Sequence, residues 1–297
     1  RRRALYALAS LLAAGAAAAG FDGFRGGGRA TPASAPGAGA AAPSLASRSA
    51  GAMANGPLAL VDGTSQNRID LVGQGGHLIR TLPICGPPRC GGIQSAAWSP
   101  DGKTLAYGTT TGGGAAEAPR DGLHLLDLET DHDRLLDHSW ANWQDLAWSP
   151  DARRLAYVEG AGVYTMQIAH PEGATLVRQN ATSPTWSPGG RLMAFDGCAG
   201  QASGIDVGRT DGSHVRSLTR TGCSPAWSPD GSRIAYRVSC GIRVITPAGK
   251  NLTAPSAWRC QHIGVSGAPV WSPDSRKLAL SGSDGVYLMN RDGSGLT

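Results

Sequence analysis

The chain has 297 residues, with 43 glycines, 6% aromatic and 16% charged residues, and a formal net charge of +5. Three arginines in residues 1–20 and a surplus of two positive charges in residues 21–54 account for that whole excess, so residues 55–297 are neutral. A neutral domain with no basic stripe excludes nucleic acid as a partner, because duplex affinity rests largely on Lys and Arg neutralising phosphates.

In chain order, Arg1, Arg2 and Arg3 precede an uncharged, Ala-rich stretch, and Ala17-Ala18-Ala19 offers the small residues that a signal peptidase accepts. Residues 1–20 are therefore expected to be an export signal. The stretch 4–20 is mostly Ala and falls short of the about 20 apolar residues a membrane span needs. An uncleaved anchor is the alternative, and membrane contact is expected only through it. The pair Arg2-Arg3 is too short a pattern to specify twin-arginine export. A start without Met fits a fragment or a trimmed gene start. Residues 21–54 are Gly, Ala, Ser and Pro with few hydrophobes, a composition that cannot bury a core and is expected to be a flexible linker.

From residue 55 onward one ten-residue phrase is written five times, at 98–107, 148–157, 186–195, 227–236 and 271–280. The Trp98, Trp148, Trp186, Trp227 and Trp271 that open it are 50, 38, 41 and 44 residues apart. A four-stranded propeller blade takes roughly 40–45 residues. Within each phrase, Trp and the closing aromatic favour half-buried pleated positions, while Pro100 and its equivalents preset a turn. The Asp-Gly or Gly-Gly that follows supplies a side-chain acceptor and a residue tolerant of positive φ. Leu105-Ala106-Tyr107 then alternates in period two, so Leu and Tyr share one face and the small Ala admits a neighbouring sheet.

A second half-repeat follows each first one, as in Leu123-His124-Leu125-Leu126, Val163-Tyr164-Thr165-Met166 and Val286-Tyr287-Leu288-Met289, and Arg68-Ile69-Asp70-Leu71-Val72 makes a sixth copy. Each leads through a turn such as Asp211-Gly212 to a short strand holding a Leu-Thr pair, as at 218–219 and 252–253.

These residues resemble the TolB-like six-bladed β-propellers, built from WD40-like (PD40) repeats, whose pattern runs Trp-Ser-Pro-Asp-Gly-x-x-Leu-Ala-Tyr, then Ile-Tyr-x-Met-Asn-x-Asp-Gly, then Leu-Thr. The resemblance spans residues 55–297, and residues 286–297 give the second half of the pattern almost in full. It implies an all-β, six-bladed propeller. Ala152 and Ser275 stand where Gly is usual, Gly189 where Asp is usual, and the first unit lacks a Trp-Ser-Pro. Entry near Leu58 leaves the ring one strand short. Either Ala52-Met53-Ala54 supplies that strand, or residues beyond Thr297 do so in a longer natural chain; otherwise a sheet edge stays exposed.

Six cysteines in an exported chain suggest three disulfides. In the repeat frame, Cys198 and Cys240 follow the Leu-Ala-Tyr-type strands of blades four and five, and Cys223 and Cys260 lie in loops leading to the next Trp. Both loop types emerge on one face. The expected pairs are Cys198–Cys223, Cys240–Cys260 and the local Cys85–Cys90, the first two each worth roughly 3 kcal/mol. The competing reading of Cys85 and Cys90 as zinc ligands lacks a second close Cys or His pair.

Catalytic motifs are few. Gly102-Lys103-Thr104 ends like a phosphate loop, but it sits in a blade turn before a strand. No Gly-x-Ser-x-Gly elbow occurs, so the likeness to peptidases that carry such propellers stops at the propeller. Asp131-His132-Asp133 with Asp137 and His138 lacks the spacing of a calcium loop and reads as a solvated turn. His77, His124 and His214 sit singly and read as structural. Asn180-Ala181-Thr182 and Asn251-Leu252-Thr253 fit the glycosylation pattern. No catalytic residue, metal ligand or cofactor is assigned.

Function is expected on the long-loop face, at about residues 83–96, 137–145 and 254–269. Trp140, Trp143 and Trp258 fall in these loops, near Arg259 and His262, and Trp and Arg are frequent binding anchors. The alternative is that they cover the disulfides and the propeller mouth. The leading expectation is a monomeric, non-enzymatic scaffold, exported to the periplasm, cell envelope or exterior, that binds a protein, peptide or glycan of the envelope. The alternatives are the extracytoplasmic sensor domain of a larger membrane protein, and a propeller hydrolase or lyase with an axial metal.

Overall fold

Alternation in period two at 8–12-residue intervals, broken by Pro- and Gly-containing turns, builds an antiparallel meander. The computed structural model describes residues 58–61, 68–72, 77–83, 92–110, 122–137, 143–198, 204–239, 241–253, 266–281 and 286–296. Within them the strands form six antiparallel sheets. Sheet one holds β1 (Leu58–Val61), β2 (Arg68–Val72) and β3 (Leu78–Pro83). Sheet two holds β4 (Gly92–Trp98), β5 (Thr104–Thr110), β6 (Gly122–Asp127) and β7 (His132–Asp137). Sheet three holds β8 (Gln144–Trp148), β9 (Arg154–Glu159), β10 (Gly162–Gln167) and β11 (Thr175–Gln179). Sheet four holds β12 (Thr182–Trp186), β13 (Leu192–Asp196), β14 (Ile205–Arg209) and β15 (Arg216–Ser217). Sheet five holds β16 (Cys223–Trp227), β17 (Ile234–Val238) and β18 (Gly241–Ile245), and sheet six holds β19 (Ser266–Trp271), β20 (Lys277–Ser281) and β21 (Val286–Asn290). Among the described residues there is no helix, and so none long and apolar enough to cross a membrane.

The first strands of sheets two to six touch in the order β4, β8, β12, β16, β19, which makes them the inner strands of a propeller. The three described strands of sheet one correspond to the second, third and fourth of sheet two, as the half-repeat at 68–72 requires. The stretch 52–54, one expected source of the remaining strand, lies outside the described residues, as do residues 1–20 and the linker 21–54.

Each Trp-Ser-Pro turn is organised by its serine. Ser149 is fully buried; its Oγ donates to Asp151 Oδ1 at 2.6 Å and accepts the Arg154 amide at 2.9 Å. Ser99, Ser228 and Ser272 repeat this arrangement with Asp101, Asp230 and Asp274. The serine hydroxyls hold Asp101, Asp151 and Asp274 below the ordinary carboxylate range. Sheet four has Gly189 in place of the Asp and keeps only the amide of Leu192 on Ser187 Oγ, at 3.0 Å. Ala152 and Ser275 adopt φ of 55° and 59°, the left-handed conformation for which Gly is usual.

The core lies between sheets. Leu155 and Tyr157 of β9 pack on sheet two with Leu123 and Leu125, while Ala156 turns the other way into a cluster with Trp186 and Phe195 of sheet four. The same division recurs at the remaining described interfaces. Inner-strand Trp side chains lock neighbouring sheets. The indole N–H groups of Trp148, Trp186 and Trp271 donate to the carbonyls of Ala97, Ala147 and Ala226 at 2.9, 3.0 and 3.0 Å. In each case the acceptor is the residue before the preceding blade's Trp. The indole nitrogens of Trp98 and Trp227 are buried without an acceptor. Trp98 packs against sheet one, which has no inner strand among the described residues; for Trp227 nothing in its neighbourhood explains the omission.

The Leu-Thr pairs differ from the expected fourth strands. At 218–219 and 252–253 the Leu amide still donates to the carbonyl of Ile205 or Val244 at 2.8 Å, and the Thr hydroxyl accepts the amide of that same residue at 3.0 or 2.7 Å, so the pairing ends on a side chain one residue after the Leu.

Candidate functional site

Among the described residues, the loop face of sheets three to five is built from bulges. The inner strands β8, β12 and β16 all begin with a register shift, and Asp145, Ser183 and Ser224 sit there at φ of 50°, 53° and 54°. Such a bulge turns an amide out of its own ladder. The Ser183 N–H donates to Asp145 Oδ2 at 3.1 Å, and the Ser224 N–H to Asp196 Oδ2 at 2.5 Å. Each bond joins a carboxylate of one sheet to the inner strand of the next.

Asp196 ends β13 and is 1% exposed. Its Oδ1 accepts from Thr182 Oγ1 at 2.6 Å and from the Cys198 amide at 3.0 Å. Asp145 is half-buried; burial raises its pKa most, the Ser183 amide opposes this, and the charge of Asp196 raises it further.

Cys198 and Cys223 form a disulfide across the same place, with Cα atoms 5.9 Å apart. This pair matches the expected pairing and puts the two loop types on one face. Asp196, Cys198 and Cys223 are close enough to resemble a metal cluster. The donor set does not fit one: the sulfurs are spent on each other, and the carboxylate holds three hydrogen-bond donors. The arrangement ties loops together and presents no nucleophile.

Of the residues expected to bind, Trp143 is corrected. It is 1% exposed, its ring packs on Tyr157 at 4.7 Å between centroids, and its carbonyl accepts Ser95 Oγ at 2.7 Å. The backbone of Gly108 admits it, because a Cβ there would come within 2.3 Å of the Trp143 Cβ. Trp143 is thus a core residue and not a surface anchor. Trp140, Trp258, Arg259 and His262 lie outside the described residues, as do Cys85, Cys90, Cys240 and Cys260. The long loops are also shorter than expected, since β4 begins at Gly92 and β19 at Ser266.

The acidic cluster near residue 131 is shared out among structural bonds. Asp131 takes Arg80 of sheet one at 2.6 Å, and Asp133 takes the Tyr107 hydroxyl at 2.7 Å and His124 Nδ1 at 3.2 Å. His124, expected to be structural, stacks on Tyr107 at 4.8 Å and is 4% exposed. The pairing of β5 with β6 sets Tyr107 opposite His124.

Asp145 and Asp196 were not singled out from the sequence. One signal was available: Asp196 stands one place beyond the repeat aromatic, where the other phrases have Gly108, Val158, Arg237 and Ser281.

No family model matches the chain. A 67-residue segment is 42% identical to the "Uncharacterized peptidase YuxL" of Bacillus subtilis (strain 168), covering 21% of this chain and 10% of that protein. Among solved structures, TolB from Acinetobacter baumannii is similar with a TM-score of 0.56 and 19% identity, over 76% of this chain and 57% of that one. An oligogalacturonate lyase in complex with manganese has a TM-score of 0.55 at 14% identity, over 77% and 69%. A chain of a nidogen/laminin complex has 0.57 at 10% identity, over 78% and 89%. The chain therefore spans a tenth of the curated relative and little more than half of the Acinetobacter protein. Repeat pattern, sheet order and structural likeness agree that this chain has the TolB-like β-propeller fold.

Proposed function

We propose that the chain is an exported, non-enzymatic scaffold that binds a protein, peptide or glycan of the cell envelope on its loop face. One observation carries this reading: the loop face of sheets three to five is stapled by the Cys198–Cys223 disulfide, and Asp196 beside it is consumed in main-chain and Thr182 bonds. A disulfide at that place favours an oxidising compartment. A carboxylate with three donors on it serves to hold loops in shape, which suits recognition better than proton transfer. The similarity to TolB and to a nidogen/laminin complex supports a protein partner.

The test places a photo-crosslinking residue at the exposed Thr221, beside Cys223 on the loop face, and, as control, at Arg209 on the opposite face of the full chain, followed by cell fractionation. The reading expects the chain outside the cytoplasm, with a discrete adduct from position 221 alone. A chain held in the cytoplasm with reduced Cys198 and Cys223 would overturn it. Manganese-dependent cleavage of oligogalacturonate would replace it with the lyase reading.

A further inference from the structure

The turn face, made of near-identical Trp-Ser-Pro turns, differs sharply between neighbouring blades at one place. Between sheets three and four, Arg154 opens β9 and reaches across to sheet four. Its guanidinium carbon lies 4.6 Å from the Trp186 ring centroid, Nη2 donates to the Gly190 carbonyl at 3.0 Å, and Nη1 to Thr210 Oγ1 at 3.1 Å. Arg233 occupies the same repeat position between sheets five and six. Leu192 occupies it between sheets four and five and packs in the cluster that contains Trp227.

Between sheets two and three the position belongs to Thr104, which is too short to cross. A groove of about 390 Å³ lies there, with Thr104, Trp148, Ala152 and Ile168 in its lining. These are the repeat equivalents of Arg154, Trp186, Gly190 and Thr210, the residue and the three contacts of the internal guanidinium one blade on. The charge has changed as well. Asp127 is paired opposite Thr104, whereas the neutral Gln167 is paired opposite Arg154. Asp101 is a second carboxylate in the lining, and Arg134 and His132 of β7 line the groove as well. The groove keeps the aromatic floor and main-chain position of a guanidinium site, adds the Asp127 carboxylate opposite Thr104, and lacks an arginine at the repeat position of Arg154.

We propose that this groove receives an arginine side chain from a partner peptide or protein, directed at Trp148 and Ala152 as Arg154 is at Trp186 and Gly190. Guanidinium is favoured over ammonium because its planar fork stacks on a ring while still donating to a carbonyl. The site is on the face opposite the disulfide and does not depend on what the loop face binds.

The test is a titration of the full chain with methylguanidinium, followed through the indole N–H resonance of Trp148, with methylammonium as control. The expected result is a saturable shift with methylguanidinium that persists in Thr104→Val and is lost in Thr104→Arg, where the missing side chain is restored from within. Asp127→Asn, which leaves the backbone intact, is expected to weaken the response if Thr104→Arg fails to fold. Absence of a saturable shift in the wild type, an unchanged response in both Thr104→Arg and Asp127→Asn, or an equal response to methylammonium would overturn the proposal. So would binding that appears only in Arg134→Ala, since the groove would then belong to the protein's own arginine.

Discussion

Replacing Cys198 and Cys223 together by Ser removes the link between the loop after β13 and the first residue of β16. The bridged residues are 25 apart in sequence. Closing a loop of that length in the unfolded chain costs about 3.5 kcal/mol of entropy at 25 °C, which the double variant would regain in the unfolded state. For a domain of this size, each kcal/mol moves the melting temperature by about 2–4 °C, so a drop of about 7–14 °C is expected. Urea titration without reductant measures the loss directly, with the m-value reporting any change in the unfolded ensemble. A loss below about 1 kcal/mol would refute the reasoning, because the entropy of the open loop would then not be what the bridge removes. Peptide mapping of the unreduced wild type checks the premise: a link from Cys85 or Cys90 to either of these cysteines would contradict the assignment of the two loop types to one face.

Gly108→Ala is expected to cost about 1–3 kcal/mol by thermal melt, because the new methyl lands 2.3 Å from the Trp143 Cβ; an unchanged melt would mean that Trp143 is not pinned there. Ser149→Ala should lose about 1–3 kcal/mol, since it leaves the Arg154 amide and Asp151 without their buried partner. Ser187→Ala should lose less, as its turn has no Asp to hold; equal losses would discount the role of the carboxylate. Asp145→Asn tests the sign of a buried charge. Its carboxyl is raised above the ordinary range, so its contribution is full below the unfolded pKa and is lost as pH rises through the folded one. The variant is therefore expected to melt higher than wild type at about pH 8, and the gain should vanish near about pH 4. Superimposable pH profiles would sink this reading.

The repeat was legible because its code is local. Trp, Pro and the residues that accept positive φ lie within ten positions; their period names the blade and counts five of the six sheets, and the half-repeat at 68–72 adds the other. The disulfide Cys198–Cys223 was legible for the same reason: once the meander is known, the end of the blade from which each loop leaves follows from counting strands. The serine of each turn was in view but its task was not, since Ser149 acts on an amide five residues on that only the folded hairpin brings back.

What the tertiary structure decided depends on contacts between blades, whose partners lie tens of residues apart. Trp143 and Trp140 look alike in a loop sequence, yet Trp143 is core because Gly108 of the previous sheet leaves room for it. Asp145 and Asp196 become loop ties only when the amides of Ser183 and Ser224 arrive from the next blade, 38 and 28 residues on. The groove over Trp148 is likewise invisible in Thr104 itself. It exists because stacking sets the same three positions at successive interfaces, and at one of them the residue that Arg154 occupies a blade later is too short to reach them.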